Sequence, residues 1–383
     1  MGTQRIEKKI QTALTLVTTY PLFWLSYLVP RDPNQWVFIS WNGDEGKEVF
    51  SDNTKYLFLH LSNTNPNIQA VWLAKDERLA DRLRSEGYHS HHHRSLKGIW
   101  AALRAGTTVI DAFLQPETFR WTGRTRLVQL LHGRGMKKKG YNVPPPRKHD
   151  YIFCPSPFIE SLLAPVFTKG AKIFHAGYPR NDVFVRDVKG SDIDVDTTAR
   201  ELLEKGPYVK KILYSPTYRR GQNTLSLSDA LDLQKLSVWL AEKNYLLVVT
   251  LHPKYFAQQR LQSSSHLHFL PPSDFYPLLK HFDLLVNDYS SLIYDFLLLD
   301  KPLLFFPYDL DEYSTKEGLA FSYNEYTPGP KAYDTDGLQH EMEAIFTHDA
   351  YAAERKRVRD TYFTHTDGHA SERVVKTLLD ETV

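Results

Sequence analysis

The run Asp283–Tyr313, DLLVNDYSSLIYDFLLLDKPLLFFPYDLDEY, reads as a strand, a turn, a helix and a second strand. Leu284, Leu285 and Val286 form a short apolar stretch without polar alternation, as in a strand buried on both faces. Asn287-Asp288-Tyr289 interrupts it. Ser290 and Ser291 then open a helix whose apolar side carries Ile293, Phe296 and Leu297, and Leu303–Phe306 resumes the apolar pattern. A strand, a crossing helix and a second strand make a βαβ unit, which is the building block of a parallel sheet.

The same alternation extends in both directions from this unit. Strands are expected at Leu284–Asn287 and Leu303–Phe306, and before them at Ile212–Tyr214, Tyr245–Thr250 and His268–Leu270. Earlier in the chain they are expected at Trp36–Ser40, Ala70–Ala74, Thr107–Asp111, Leu127–Leu131, Tyr151–Cys154 and Lys172–His175. Helices separate them, including Asp52–Leu61, capped by Ser51 or Asp52, and Ser95–Arg104, ended by Gly106. The last fifty residues read as helical, and the polar stretch Arg180–Gly206 reads as a helix-containing linker. The expected architecture is α/β, with two doubly wound parallel-sheet domains facing a central cleft and ligands at the strand carboxyl ends. We place a membrane-associating segment at 1–34, a first domain at 35–190 and a second, with the C-terminal helices, at 191–383.

Composition bounds the function. The 383 residues suit two or three domains at roughly 150 residues each. With 42% hydrophobic and 24% charged residues the chain has a globular balance that excludes wholesale disorder. A net charge of +2 excludes a globally basic nucleic-acid coat protein, and no nucleic-acid partner is expected. The single cysteine, Cys154, cannot form an internal disulfide, so a reducing compartment is the default. Ile10–Pro30 carries no charge, and Arg5, Lys8, Lys9 and Arg31 flank it. Its threonines, its central Pro21 and its scattered Trp24, Tyr20 and Tyr27 favour a helix lying in the membrane interface. A core helix, a true span and a cleaved signal are the competing readings.

Several segments carry chemistry. Hydroxyls and free N–H groups at the Ser290-Ser291 helix start suit an anion, although an ordinary serine cap is the blander reading. Asp288 beside them would either hold a substrate hydroxyl or brace the loop. His132, after LVQLL and before Gly133, and His252, after LLVVTL and before Pro253, occupy matching positions in the two halves. There a near-neutral pKa suits proton transfer. Nine basic residues lie between Arg120 and Lys148 with no acid among them, including Arg134 and Lys137. Such a run is either a solvated face or a holder of phosphates or anionic head groups. GYPRND (Gly177–Asp182) and YSPTYRRG (Tyr214–Gly221) place Arg180 and Arg219 at turns that would present a guanidinium to phosphate. The cluster HSHHH (His89–His93) sits in an expected loop without acid or cysteine spacing, so no metal site is assigned to it.

In order, LLHGRGMKKKGY, GYPRND, ILYSPTYR, LHP, NDYSSLIYDFLLLDKPLLFF and EYTPGP resemble the CDP-glycerol glycerophosphotransferase family, whose members make teichoic acids and related polymers. SDNTKYLFLHL (Ser51–Leu61) and VWLAKD (Val71–Asp76) extend the resemblance over most of the chain. It implies a GT-B fold, peripheral attachment to the cytoplasmic face of the cell membrane, and no cofactor. The implied donor is CDP-glycerol or a related CDP-polyol, and the acceptor a lipid-linked glycan or polyol phosphate. His132 is implied as the base and His252 as its assistant at the donor phosphates. Arg219, Ser290 and Ser291 are implied to hold the pyrophosphate, with Asp295 an acidic position of the site. Gly133, Arg134, Lys137, Arg180 and Asp288 complete the expected substrate-binding set. The family usually has Trp before the HG pair and Thr-Pro after it; here Leu131 precedes and Arg134-Gly135 follow. A GT-B nucleotide-sugar glycosyltransferase and a non-catalytic anion-binding membrane protein are the alternative readings.

Overall fold

A computed structural model describes residues 19–40, 48–112, 116–138, 149–167, 170–217, 230–251 and 262–381. Its first sheet contains β1 (Asp32–Ile39), β2 (Gln69–Ala74), β3 (Ser90–His92), β4 (Ala105–Ile110), β5 (Arg126–Gln129), β6 (Tyr151–Cys154) and β7 (Lys172–His175). The second contains β8 (Lys210–Ser215), β9 (Tyr245–Thr250), β10 (Leu267–Leu270), β11 (Leu284–Asn287) and β12 (Leu303–Phe305). The strand orders are β3-β2-β1-β4-β5-β6-β7 and β10-β9-β8-β11-β12. Every pairing within the sheets is parallel, in β11 for example with Leu285 opposite Leu213 of β8 and Leu303 of β12. The strands can be this apolar because helices cover both faces, leaving no side of the sheet to water.

Strand order reverses between β1 and β4 in the first sheet and between β8 and β11 in the second. Adjacent crossovers leave in opposite directions at such a point, which opens a crevice at the carboxyl ends of the strands. Ser40 and Asp111 follow β1 and β4 there, and Ser215 and Asp288 stand at the ends of β8 and β11.

Three expectations need correction. The HSHHH segment is not a loop: Ser90–His92 is an edge strand pairing with β2, with His92 Nε2 3.0 Å from the Lys75 carbonyl and His93 Nδ1 3.1 Å from that of Ala74. Polar edge strands lack the apolar run that marks a central one. Gly106 does not end a helix, because the Leu96–Arg104 helix, capped by Ser95 accepting from Gly98 N, passes straight into β4 at Ala105. The last helix, Ala370–Asp380, does not belong with the second half. Its Val374, Val375 and Leu378 join the core of Trp36, Phe58 and Tyr151, and Asp182 caps it by accepting from Ala370 N and Ser371 N at 2.8 and 2.9 Å.

Residues 19–25 are helical and lead into a 3-10 turn, Ser26–Leu28. Phe23 stacks on Phe119 at 4.5 Å, and Ser26 Oγ accepts from Gly123 N at 2.9 Å, so one side of this segment is fastened to the first half. Trp24, Leu25 and Leu28 on the other side are exposed. Among the described residues no helix is long and apolar enough to cross a membrane.

Candidate active site

The two switch points face each other through a contact of unusual closeness. After β5 the chain turns through Leu131, at φ +61°, and Gly133, at φ +100°. A β-carbon on Gly133 would lie 2.8 Å from Ser291 Oγ and 2.7 Å from an Arg180 guanidinium nitrogen. Gly133 is therefore required twice over, by its left-handed backbone and by the lack of space. One on Gly135 would lie 3.0 Å from both Ser291 N and Tyr289 O. The turn carrying His132 thus lies directly on the turn carrying Ser290 and Ser291. His132 itself is exposed.

The left-handed turn at Leu131 is held by side chains. Leu131 N donates to Gln129 Oε1 at 2.8 Å and its carbonyl accepts from Asn53 Nδ2 at 2.7 Å. The next carbonyl, of His132, accepts from Arg180 Nη1 at 2.9 Å, and His132 Nδ1 lies 3.2 Å from the Asp111 carbonyl. A carbonyl only accepts, so a hydrogen bond at this contact requires the proton on Nδ1, and in that tautomer the lone pair is on Nε2.

On the other side of the contact, Asn287 accepts from Ser290 N at 3.0 Å and donates to the Ser215 carbonyl at 2.7 Å. Ser290 Oγ accepts from Leu292 N at 3.3 Å, and the following helix, Leu292–Leu297, is brief. Asp288 is fully buried and braces the loop. It accepts from Thr217 N at 2.9 and 3.1 Å, from Thr217 Oγ1 at 2.5 Å and from Tyr289 N at 2.7 Å. Of the two roles open to it, the structure assigns the bracing one.

Arg180 does not present its guanidinium to a cleft. Its side chain is 3% exposed, with Nη1 2.6 Å from Asp52 Oδ1 and Nη2 2.6 Å from Asp295 Oδ2. Tyr276 OH and Asn181 Nδ2 also donate to Asp295, at 2.8 and 2.9 Å, and the rings of Tyr178 and Tyr276 flank the guanidinium. Burial works against its charge, yet Asp295, Tyr276 and Asp52 outweigh it and hold the pKa well above the ordinary arginine value. Asp295 is the buried counter-ion of this pair. A second buried pair joins the halves nearby: Lys55 Nζ lies 2.7 Å from Asp274 Oδ2, which also accepts from Tyr56 OH at 2.7 Å. Here burial wins, and the lysine pKa falls despite Asp274.

Lys137 is likewise engaged, 2.6 Å from Glu317, where Lys137 and Leu319 form an antiparallel bridge between the halves. Arg134 is buried, and its main-chain N–H and carbonyl both bond Tyr362 OH, at 3.1 and 2.5 Å. The basic run is therefore no continuous solvated face. His252 and Arg219 lie outside the described residues. No group of three or more His, Cys, Asp or Glu among the described residues is arranged to hold a metal ion.

Ser40, Thr54 and Asp111, placed on elements by the sequence, were not among its candidate site residues. Asp111 is 1% exposed and accepts from Thr54 Oγ1 at 2.5 Å, from Thr54 N at 3.3 Å and from Ser40 Oγ at 3.2 Å. Burial first, and the neighbouring Asp52 charge second, push its pKa up to about 8. An acid closing an apolar strand was the available signal.

Residues 22–380 match the CDP-Glycerol:Poly(glycerophosphate) glycerophosphotransferase family. The chain belongs to this family. Among similar members, the teichoic acid ribitol-phosphate primase of Bacillus spizizenii is 30% identical over 65% of this chain and 68% of its own length. The teichoic acid glycerol-phosphate transferase of Staphylococcus aureus is 25% identical over 98% of this chain and 97% of its own. The structure of the wall teichoic acid polymerase TagF superposes with a TM-score of 0.76 at 22% identity, covering 99% of this chain and 98% of that one. UDP-N-acetylglucosamine 2-epimerases share the fold more distantly, at a TM-score of 0.54 for that of Neisseria meningitidis. The family fold is the GT-B arrangement of two parallel-sheet domains, and membership makes this chain an enzyme, a transferase of the glycerophosphotransferase kind. Within the family frame, His132 of the HG pair is the exposed group and Arg180 of GYPRND the buried strut.

Proposed function

We propose that the protein transfers a polyol phosphate, with glycerol phosphate favoured, from a CDP-activated donor to a hydroxyl of a lipid-linked or polymeric glycan acceptor, releasing CMP. The observation that carries this reading is the contact of Gly133 with Ser291, which sets an exposed imidazole beside a serine-rich strand-to-helix turn. His132 Nε2 takes the acceptor hydroxyl's proton as its oxygen attacks the polyol-bearing phosphorus. The bond from that phosphorus to the bridging oxygen breaks, and CMP leaves with the oxygen. The hydroxyls of Ser290 and Ser291 orient the pyrophosphate and offset its charge, while the Ser290 N–H is taken by Asn287. The transfer of CDP-polyol chemistry to this chain rests on family membership; a TagF variant has been soaked with CDPG.

The same reading puts the enzyme peripherally on the cytoplasmic face of the cell membrane, where CDP donors are made. What supports it is an apolar face on the first half: Trp24, Leu28, Leu96 and Trp100 are 65%, 78%, 87% and 60% exposed. Arg31 links the two segments that carry them, donating to the carbonyls of Ser26 and Ala102. Arg104 and Arg124 lie beside them, suited to anionic head groups.

The test supplies purified protein with CDP-glycerol, CDP-ribitol or a UDP-sugar and a polyol-phosphate-primed lipid in vesicles. Mass spectrometry reads the released nucleotide and phosphorus NMR the new linkage. CMP with a new phosphodiester is expected, most rapidly from CDP-glycerol. UDP release from the sugar donor alone would replace the reading with a glycosyltransferase, and no turnover with any donor would leave an anion-binding protein.

A further inference from the structure

We propose that Asp111 is the positioning residue of His132: its main-chain carbonyl selects the ring tautomer, and its carboxyl, gripped by Thr54 and Ser40, holds that carbonyl in place. The proposal rests on His132 being the base. Its geometry comes from four elements meeting at the first switch point. Ser40 follows β1, Asp111 follows β4, His132 follows β5, and Thr54 lies in the first turn of the Asp52–Thr64 helix. Ser40 and Thr54 are themselves buried, at 1% and 0% exposure, and both hydroxyls donate to the acid.

Two features argue that the carboxyl is there for more than packing. First, among the described residues its hydrogen-bond partners, Thr54 and Ser40, are neutral. The charge that acts on it is that of Asp52, an acid, whose own partner is Arg180. Burying an acid beside another acid costs stability, as the upward-shifted pKa records, and a neutral residue would avoid the cost. Second, the link from that carboxyl to the exposed imidazole is short: one residue's main chain joins it to the carbonyl 3.2 Å from His132 Nδ1. Arg180, held between Asp52 and Asp295, grips the His132 carbonyl from the other side. The base is thus fixed at its ring by Asp111 and at its backbone by Arg180. Loss of either grip lets the ring turn or exchange its proton between nitrogens, and a misplaced base loses rate rather than donor affinity.

The experiment labels the chain with nitrogen-15 histidine and reads the tautomer of His132 by long-range proton–nitrogen correlation. The signal is assigned among the 16 histidines by its absence in His132→Ala. The wild type should show the Nδ1–H form. Asp111→Ala and Thr54→Val should show a mixture, with kcat lower by about 10- to 100-fold and KM for CDP-glycerol little changed. Asp111→Asn, whose carboxamide oxygen still accepts from both hydroxyls, should recover the larger part of the loss. An Nε2–H form in the wild type would overturn the proposal. So would an unchanged tautomer in Thr54→Val, the variant that keeps side-chain shape should Asp111→Ala fail to fold. The tautomer measurement needs no substrate, so it decides this proposal even if CDP-glycerol proves not to be the donor.

Discussion

Each sheet carries an aspartate at its switch point, and the two are held in different ways. Asp288, in the second half, receives main-chain N–H groups from Thr217 and Tyr289 and the Thr217 hydroxyl. Asp111, in the first, receives hydroxyls from Thr54 and Ser40, only one long N–H bond, and the repulsion of Asp52. Main-chain donors come with the fold and make a carboxylate a rivet. Hydroxyl donors can also accept, so they tolerate a carboxyl whose protonation changes. In the proposed reaction the acid of the second half stiffens the turn that would face the donor phosphates, and the acid of the first lies beside the proposed base. One architectural position serves two chemistries because its donors differ.

The comparison can be broken most severely at the group that the first half positions. His132→Ala should lower turnover by about 100- to 10,000-fold while leaving the thermal melt unchanged, since the ring is exposed. A near-wild-type rate would remove the proton-transfer role from this half. Next, Arg180→Ala should cost about 3–5 kcal/mol in urea denaturation, because it leaves Asp295 and Asp52 uncompensated in the interface. A smaller loss would show the halves to be held mainly by their apolar contact.

Gly133→Ala should cost about 1–3 kcal/mol by backbone strain and crowding of Ser291. Pairing it with Ser291→Gly should return part of that loss, and no return would place the strain in the backbone alone. A last effect concerns pH. The Asp111 pKa is raised to about 8 in the folded chain, above its unfolded value. The stability it contributes is therefore full below the unfolded pKa and lost as pH rises through about 8. Asp111→Asn should flatten the fall in stability between pH 5 and 9 (read by urea midpoints), whereas Asp288→Asn should lower stability throughout that range. Glu48 and Asp182, raised to about 7 and about 6, slope the same way and leave some residual fall.

How far these features could be read from the sequence depended on range. Apolar strands such as Leu284–Asn287 and Tyr245–Thr250 announce themselves, because burial on both faces forces a local composition. His132 and the serine pair were placed at strand ends for a local reason too: the Gly133 that follows the histidine and the helix that the serines open mark where each strand stops. Arg180 was misread because a proline-flanked arginine looks alike whether its guanidinium meets phosphate or two carboxylates. Asp52, more than a hundred residues earlier, and Asp295, more than a hundred later, decide the matter. Lys137 hid its partner Glu317 in the same way. Asp111 passed as the polar end of a strand, since nothing local places Thr54 beside it.

The return of the Ala370–Asp380 helix to the first half has a kinematic consequence. The chain crosses between the halves twice, once between β7 and β8 and once before the Ala370–Asp380 helix. Two bodies joined by a single strand can swivel about any axis, but two bodies joined at separate points turn only about the line through both. An opening of this cleft about that line would carry Gly133 past Ser291, the closest approach of the two halves' turns.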